Sequence, residues 1–286
     1  MPIRPPLTPA WIVRHHAPAP VHTVAISNNG DLLLAGDSQG RVSVTHLSYY
    51  RPLVFWKAHK DTVLRVDAWA GYLVTHGRDN SIRIWKMPSE VGSATFSSSM
   101  VTNLPEPTLV HDMGVNALNY CAYDMTLTKG DNLTLKGWLV TPHTLDSAWL
   151  DVYELPSQRR IVEALGRNSP PSTSSIVPGP AAQERRPPVV MSLQTCFVEK
   201  VLWIIAGYED GSLRAWTTSL STSEPMLMWA HKSHAEAIMA ICVSPKLDSV
   251  LSVGADYHIV RTSLTPNAVP EVHKVRRPGN ACTATF

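Results

Sequence analysis

A serine between two glycines is the first group in the sequence that could do chemistry. The pentapeptide Gly36-Asp37-Ser38-Gln39-Gly40 matches the G-x-S-x-G pattern that carries the nucleophile of many serine hydrolases. In those enzymes a strand enters a tight turn and a helix leaves it, which exposes the hydroxyl beside an oxyanion hole. Residues 41–47 instead alternate polar and apolar side chains and are rich in β-branched ones, which predicts a strand. The sequence therefore predicts a hairpin at Ser38, and a serine hydrolase using Ser38 is kept as the remote alternative.

Histidines and cysteines are the residues that could bind a metal ion. The chain has 12 histidines, and His15 and His16 are adjacent, but neighbours on a strand point to opposite faces and are poorly placed to share an ion. The four cysteines are far apart and form no C-x-x-C pair, which predicts free thiols: Cys121, Cys196, Cys242 and Cys282. We therefore expect no metal site and no cofactor.

Composition limits the classes of partner. With 286 residues, 44% of them hydrophobic, the chain has ample material for a core. A formal net charge of +2 without a basic cluster argues against direct nucleic-acid binding. No apolar run approaches the length of a signal peptide core or a membrane span, so we expect no membrane partner.

An internal repeat supplies the elements that position these residues. In each copy an apolar strand enters a Gly/Asp turn and a second alternating strand leaves it; the copies are 32–47, 72–87, 202–218, 250–264 and, more weakly, 138–155. An apolar alternating segment precedes each copy, at 21–27, 63–69, 115–123, 189–198 and 237–244, and a fourth strand such as 51–56 or 224–229 follows. Four short antiparallel strands recurring every ~40–45 residues are typical of β-propeller blades, which bury both sheet faces by stacking.

The second repeat carries the residues of a known family. Its His59 follows Ala58, Thr75 lies in the second strand, Asp79 in the turn, and Trp85 closes the third strand. At this spacing the repeat resembles those of WD-repeat propellers. The resemblance implies that His59, Thr75, Asp79 and Trp85 form a hydrogen-bonded network that holds the turns to the blade interior, which is a structural role.

The other repeats retain only part of this set. They keep Asp210 and Trp216 in the fourth repeat, and His234, Ser252 and Asp256 in the fifth. Ala206 stands at the place of Thr75 in the fourth repeat, and Thr262 at the place of Trp85 in the fifth. The first repeat has His16, but Gln39 and Thr45 where the family has Asp and Trp. We expect these partial sets to serve the same structural role.

The repeat count predicts an all-β fold with five complete blades in a single WD-repeat domain over residues 1–286. Residues 11–14 are predicted to be an N-terminal closing strand, and 281–286 the first strand of a sixth blade. Because the family ring usually has seven blades, the sequence predicts a seven-bladed parent and a C-terminally truncated chain. Low-complexity insertions rich in Ser, Thr and Pro are predicted at 88–107 and 167–188.

Longer phrases narrow the resemblance. "LVTHGRDN" and "TLDS…DVYELPS" resemble the fungal ASTRA-associated WD-repeat family and its animal Gβ-like relatives. The resemblance implies a non-enzymatic scaffold subunit of the ASTRA complex, a nuclear assembly linked to chromatin remodelling, with the cytoplasm as a second location. The implied partners are RuvB-like AAA+ ATPases and a phosphatidylinositol-kinase-like protein with its maturation factors, and no small-molecule substrate. The alternative is a generic WD-repeat adaptor in signalling or ubiquitin-ligase substrate capture.

Overall fold

The computed structural model describes residues 11–27, 29–89, 104–117, 121–129, 135–168, 186–198, 200–219, 224–264 and 270–274. These residues form five antiparallel sheets of four strands each, which confirms the predicted all-β fold of WD-repeat blades. No helix in the described ranges is long and apolar enough to cross a membrane. The chain divides into two compact units, Met1–Met113 and Gly114–Phe286, so a single domain stays a prediction.

The first unit contains two sheets with consecutive strand order. The strands of the first sheet are β1 (Val21–Ile26), β2 (Leu32–Asp37), β3 (Arg41–His46) and β4 (Arg51–Lys57). Those of the second are β5 (Val63–Trp69), β6 (Tyr72–Gly77), β7 (Ser81–Lys86) and β8 (Thr108–Gly114). One apolar core joins the two sheets, from Leu34 and Val42 in the first to Val66 and Trp85 in the second. The two sheets therefore stack and bury facing sides.

The second unit contains the remaining three sheets. The third sheet comprises β9 (Asp124–Lys129), β10 (Leu135–Pro142), β11 (Leu150–Leu155) and β12 (Arg159–Leu165). The fourth comprises β13 (Val190–Val198), β14 (Val201–Tyr208), β15 (Ser212–Ser219) and β16 (Met226–Lys232). The fifth comprises β17 (Ile238–Val243), β18 (Ser249–Gly254), β19 (His258–Ser263) and β20 (Glu271–Lys274). A core around Trp216 joins the third and fourth sheets, and another around Trp229 joins the fourth and fifth.

The repeat is visible in backbone conformation as well as in strand order. In four of the sheets the residue before the third strand has a positive φ: Gly40 (77°), Asn80 (60°), Gly211 (81°) and Tyr257 (62°). The same four sheets also have a register shift after the first residue of their first strand. These two features provide an alignment of the repeats that does not depend on residue type.

Two predicted strands are wrong. Residues 115–123 do not form the first strand of the third sheet, which is β9; residues 118–120 lie outside the described part. Val115, Ala117, Cys121 and Tyr123 are buried without being in a strand. The alternating apolar pattern of this segment therefore reflects buried side chains, and an irregular segment can bury side chains as a strand does.

The predicted closing strand at 11–14 is also not a strand. The segment leads into a turn in which the Ala17 N–H donates to the Arg14 carbonyl over 3.2 Å, and the Trp11 ring stacks on Tyr50 at 5.2 Å. Trp11 is therefore used in a ring contact, and residues 11–14 take no part in strand pairing. The predicted strand at 281–286 and most of both insertions lie outside the described residues.

Candidate functional site

The structure brings His59, Thr75, Asp79 and Trp85 into one hydrogen-bonded cluster in the second sheet. His59 Nδ1 lies 2.8 Å from Asp79 Oδ1, and its Nε2 lies 2.8 Å from Thr75 Oγ1. The Trp85 indole N–H donates to Thr75 Oγ1 over 2.9 Å. A neutral ring with its proton on Nδ1 donates to Asp79 and accepts from the Thr75 hydroxyl, so the cluster satisfies all of these polar groups.

Asp79 is held in its ionised form. Burial alone would raise its pKa, but the backbone N–H of Lys60, at 2.9 Å from Oδ2, and His59 lower the pKa to about 2. Burial lowers the pKa of His59, outweighing the attraction of Asp79. The cluster is therefore a neutral imidazole that donates to a carboxylate, as expected for a buried polar network.

The fifth sheet repeats this geometry. His234 Nδ1 lies 2.9 Å from Asp256 Oδ1, its Nε2 lies 2.9 Å from Ser252 Oγ, and the Ala235 N–H donates to Asp256 Oδ2 over 2.8 Å. Burial would raise the pKa of Asp256, but His234 and the Ala235 N–H lower it to about 2. Thr262, at the place of Trp85, is fully buried.

The fourth sheet does not form this cluster from Asp210 and Trp216. Asp210 Oδ1 accepts from the N–H and hydroxyl of Ser212 at 2.9 and 2.6 Å, whereas Trp216 is buried beside Tyr208. Tyr208 occupies the place of Gly77 in the repeat. A Cβ at Gly77 would lie 2.2 Å from His59 Nδ1, so a side chain at this place enters the space of the histidine. In the fourth sheet this place is taken by the fully buried Tyr208 ring, over which the Arg214 guanidinium lies at 4.5 Å.

Sequence reasoning missed the acid of the first sheet. Its His16 Nδ1 lies 2.9 Å from Asp37 Oδ2, and Nε2 lies 2.8 Å from Ser43 Oγ. The side chains of Gln39 and Thr45, which stand at the family positions, are not the partners in these two contacts. Asp37 also stands at the place of Gly77, where a side chain reaches the histidine. The signal was available in the sequence as an acid two residues before the expected one.

A further histidine–aspartate pair in the third sheet was also missed. His143 Nδ1 lies 3.0 Å from both carboxylate oxygens of Asp151, which is buried in β11. The Ala164 N–H donates to Asp151 Oδ1 over 2.9 Å. The pair links the end of β10 to β11 across their connecting loop, so its spacing differs from that of the other repeats.

The three hydroxyl-containing clusters have the order of groups found in serine hydrolase triads. In each, an aspartate contacts Nδ1 and a hydroxyl contacts Nε2 of the same histidine. However, Ser43, Thr75 and Ser252 are at most 1% exposed, so a substrate carbonyl cannot approach them. These clusters are suited to fixing turns and not to acyl transfer.

The G-x-S-x-G segment is a blade turn. β3 follows Gly40 as an extended strand, which confirms the predicted hairpin and removes the context of a hydrolase nucleophile. The Ser38 N–H donates to the Pro20 carbonyl at 2.9 Å, and its carbonyl accepts from the Thr62 hydroxyl at 3.2 Å. Ser38 thus contributes its backbone to the joint with the next sheet.

The two glycines of that segment allow close packing between sheets. A Cβ at Gly40 would lie 2.1 Å from the His59 carbonyl oxygen, and one at Gly36 would lie 2.6 Å from a Val63 methyl carbon. The Ala58 and His59 N–H groups donate to the Gly40 carbonyl at 2.9 and 3.0 Å. Gly207 and Gly211 make the corresponding contacts between the fourth and fifth sheets, with Ile238 and His234.

Comparison with known proteins identifies several relatives. No family model matches the chain. It is 29% identical over 277 residues to the ASTRA-associated protein 1 of Verticillium alfalfae, covering 92% of this chain and 63% of that protein. The ASTRA-associated protein 1 of Pyricularia oryzae is 26% identical, with 96% of this chain and 57% of that protein covered. The chain therefore spans less than two thirds of the length of these relatives.

A solved structure supports the fold. The computationally designed Ika8 protein superposes with a TM-score of 0.57 over 94% of this chain and 65% of that one, at 13% sequence identity. Such a likeness concerns the fold alone. The chain thus consists of five four-stranded antiparallel sheets consistent with WD-repeat blades, and it resembles the fungal proteins named ASTRA-associated protein 1.

Proposed function

We propose that this chain is part of a non-enzymatic scaffold subunit of the ASTRA complex, acting in the nucleus in chromatin remodelling. The observation that carries the proposal is the similarity to proteins named ASTRA-associated protein 1, which extends over 92% and 96% of the chain in two fungi. The proposed partners are RuvB-like AAA+ ATPases and a phosphatidylinositol-kinase-like protein with its maturation factors.

The geometry of the chain supports a scaffold over a catalyst. Its Asp–His–hydroxyl clusters are buried, and Ser38 lies in a hairpin turn. Repeated sheets of this kind present loops and strand edges, on which binding energy concentrates in a few anchors.

Affinity purification of the tagged chain from its native organism, followed by mass spectrometry, tests the proposal. We expect RuvB-like ATPases and the phosphatidylinositol-kinase-like protein to be recovered. Recovery of ubiquitin-ligase subunits without RuvB-like ATPases would overturn the proposal in favour of a generic adaptor. A fluorescent fusion should accumulate in the nucleus.

A Ser38→Ala variant is the matched control for the hydrolase alternative. A scaffold does not use this hydroxyl, so the variant should recover the same partners as the wild-type chain. The wild-type chain should not react with an organophosphonate probe; stoichiometric labelling that Ser38→Ala abolishes would reinstate the hydrolase.

A further inference from the structure

The first strand of the first sheet has an exposed apolar face. Val21, Val24 and Ile26 are 47%, 66% and 63% exposed, and together they are called the β1 face. Ala25, between the last two, packs against the core that joins the first and second sheets. Since neighbouring residues on a strand point to opposite sides, Val24 and Ile26 lie on the side of the first sheet away from that core.

The same positions are buried in the other three sheets that share the register shift. At the place of Val21 these sheets have residues that are 0% exposed: Val63, Val190 and Ile238. At the place of Val24 they have residues that are at most 8% exposed, each in the core shared with the preceding sheet: Val66, Leu193 and Ile241. The β1 face therefore has the composition of a joint between sheets, but its side chains are exposed.

The buried counterparts show what kind of surface covers such a face. Val63 lies against Gly36, where a Cβ would be 2.6 Å from its Cγ1, and Ile238 lies against Gly207, where a Cβ would be 2.6 Å from its Cγ2. In both joints the cover is the second strand of the preceding sheet, at the residue that pairs just after the register shift. The joint from the third to the fourth sheet is built differently, because the N–H at this place donates to the Ser147 carbonyl in the loop between β10 and β11.

Two backbone N–H groups indicate that the β1 face belongs to a joint of the glycine type. In such a joint the N–H of the cluster histidine and that of the residue before it both donate to a turn glycine carbonyl of the preceding sheet, over 2.9–3.1 Å: His59 to Gly40 and His234 to Gly211. His16 is the cluster histidine of the first sheet. Within the ranges that the structure describes, the N–H groups of His15 and His16 have no hydrogen-bond acceptor. Because buried and half-buried N–H groups are normally paired, they indicate a turn carbonyl of a further sheet.

The fifth sheet does not fit as the missing cover. Glycine stands at the covering place in the first and fourth sheets, where it already faces the next sheet. The same place holds His76 in the second sheet and Val253 in the fifth. Because even a Cβ at Gly36 would lie 2.6 Å from the facing valine, the Val253 side chain would overlap Val21 in a joint of this kind. This argument applies to the fifth sheet of the same chain and to that of a second copy.

We propose that the β1 face binds a further four-stranded sheet of this repeat, formed by sequence of the same polypeptide outside residues 1–286. That sheet has glycine at the place of Gly36, and its turn carbonyl at the place of Gly40 accepts from the His15 and His16 N–H groups. The relatives have room for such a sheet, since more than a third of each of the two fungal proteins lies outside the part that this chain matches. This inference concerns the assembly of the fold and does not rest on the proposed scaffold function.

A photo-crosslinking amino acid in place of Val24 tests the proposal in protein expressed from its own gene in the native organism. We expect cross-linked peptides from the same polypeptide outside residues 1–286, in a strand that ends in glycine. The same group in place of Tyr257, which is exposed in the fifth sheet, is the control and should not link to that strand. Cross-links from Val24 to residues 249–254, to another protein or to nothing would each overturn the proposal.

A matched pair of truncations at one place in the repeat provides a second measurement. In the 286-residue chain, Val24→Ala should leave the urea midpoint unchanged, whereas Val66→Ala, at a buried site, should lower it. In the protein from the native gene both should lower the midpoint, and the His15 and His16 amides should exchange with solvent at least about tenfold more slowly than in the 286-residue chain. An unchanged midpoint for Val24→Ala in the native protein, or equally fast exchange of both amides, would contradict the proposal.

Discussion

The hydroxyl of Thr75 lies between two nitrogens, His59 Nε2 at 2.8 Å and Trp85 Nε1 at 2.9 Å. It can donate to the first and accept from the second, so one small side chain satisfies two larger ones. Asp79 does the same for the turn, where it accepts from His59, Ser81 and the Lys60 backbone. His59, Thr75 and Asp79 are therefore each constrained by at least two hydrogen-bond partners.

Replacing the carboxylate should leave several of these donors unsatisfied. We expect Asp79→Ala to lower the free energy of unfolding by about 2–4 kcal/mol, since the lost bonds involve a charged acceptor. Asp31→Ala, at an exposed turn, should change it by no more than about 0.5 kcal/mol. Urea denaturation of both variants checks this, and equal midpoints for Asp79→Ala and wild type would refute the role assigned to Asp79.

Acid should destabilise the chain through the same carboxylates. The pKa values of Asp79 and Asp256 fall from 3.8 to about 2 on folding, so the unfolded state binds more protons between those values. The stabilisation, roughly 2 kcal/mol for each residue, is present above pH 4 and is lost as the pH falls to about 2.

Denaturation curves at a series of pH values measure this effect as the difference between wild type and Asp79→Ala. The difference should shrink from pH 4 to pH 2. His76, whose pKa burial lowers to about 3, adds destabilisation below pH 6.5 in both proteins and largely cancels in the comparison. A difference that stays constant down to pH 2 would contradict the assignment.

At the scale of elements, the joint between neighbouring sheets depends on a glycine pair with fixed spacing. Gly36 and Gly40 make the joint from the first to the second sheet, and Gly207 and Gly211 make the joint from the fourth to the fifth. In both, the earlier glycine faces the first residue of the next sheet and the later one faces the backbone of its histidine. The spacing that resembles a nucleophile motif is therefore set by packing.

Substituting the later glycine tests this joint. Gly40→Ala places a Cβ 2.1 Å from the His59 carbonyl oxygen at φ +77°, and we expect a loss of about 3 kcal/mol or more. Gly30→Ala, at the same φ but with nothing within 4 Å, isolates the backbone strain and should cost about 1 kcal/mol. Thermal unfolding compares the two variants, and similar losses in both would show that the close contact is unimportant.

The strands could largely be predicted because alternation and turn residues are local signals. β1, β5, β13 and β17 begin and end within a residue or so of their predicted bounds. The segment 115–123 could not be assigned correctly, since its buried apolar residues follow a strand-like spacing without strand pairing. The histidine clusters divide in a similar way. Those of the second and fifth sheets match the family spacing. The role of Asp37 lies outside that spacing, because its side chain reaches His16 from the place of Gly77 in the repeat.

At the scale of the whole molecule, similarity and structure carry different parts of the conclusion. The fungal relatives are similar over more than nine tenths of this chain, and the chain covers 63% and 57% of the first two. The sheets account for the repeats, while the name of the complex comes from the relatives alone. The burial of the Tyr208 ring in the fourth sheet could not be predicted from the family spacing, whereas Asp37, which binds His16 in the first sheet, stands visibly in the sequence two residues before the family position at Gln39.

His59 joins two sheets at once, and this has a consequence for exchange with solvent. Its ring is bound within the second sheet, while its own N–H and that of Ala58 donate to Gly40 of the first. These two amide hydrogens can therefore be replaced by deuterium only when the Gly40 turn separates from the second sheet, so they should show one common free energy of opening. In the Gly40→Ala protein both should exchange much faster, whereas in Gly30→Ala they should remain slow, which hydrogen–deuterium exchange by NMR measures amide by amide.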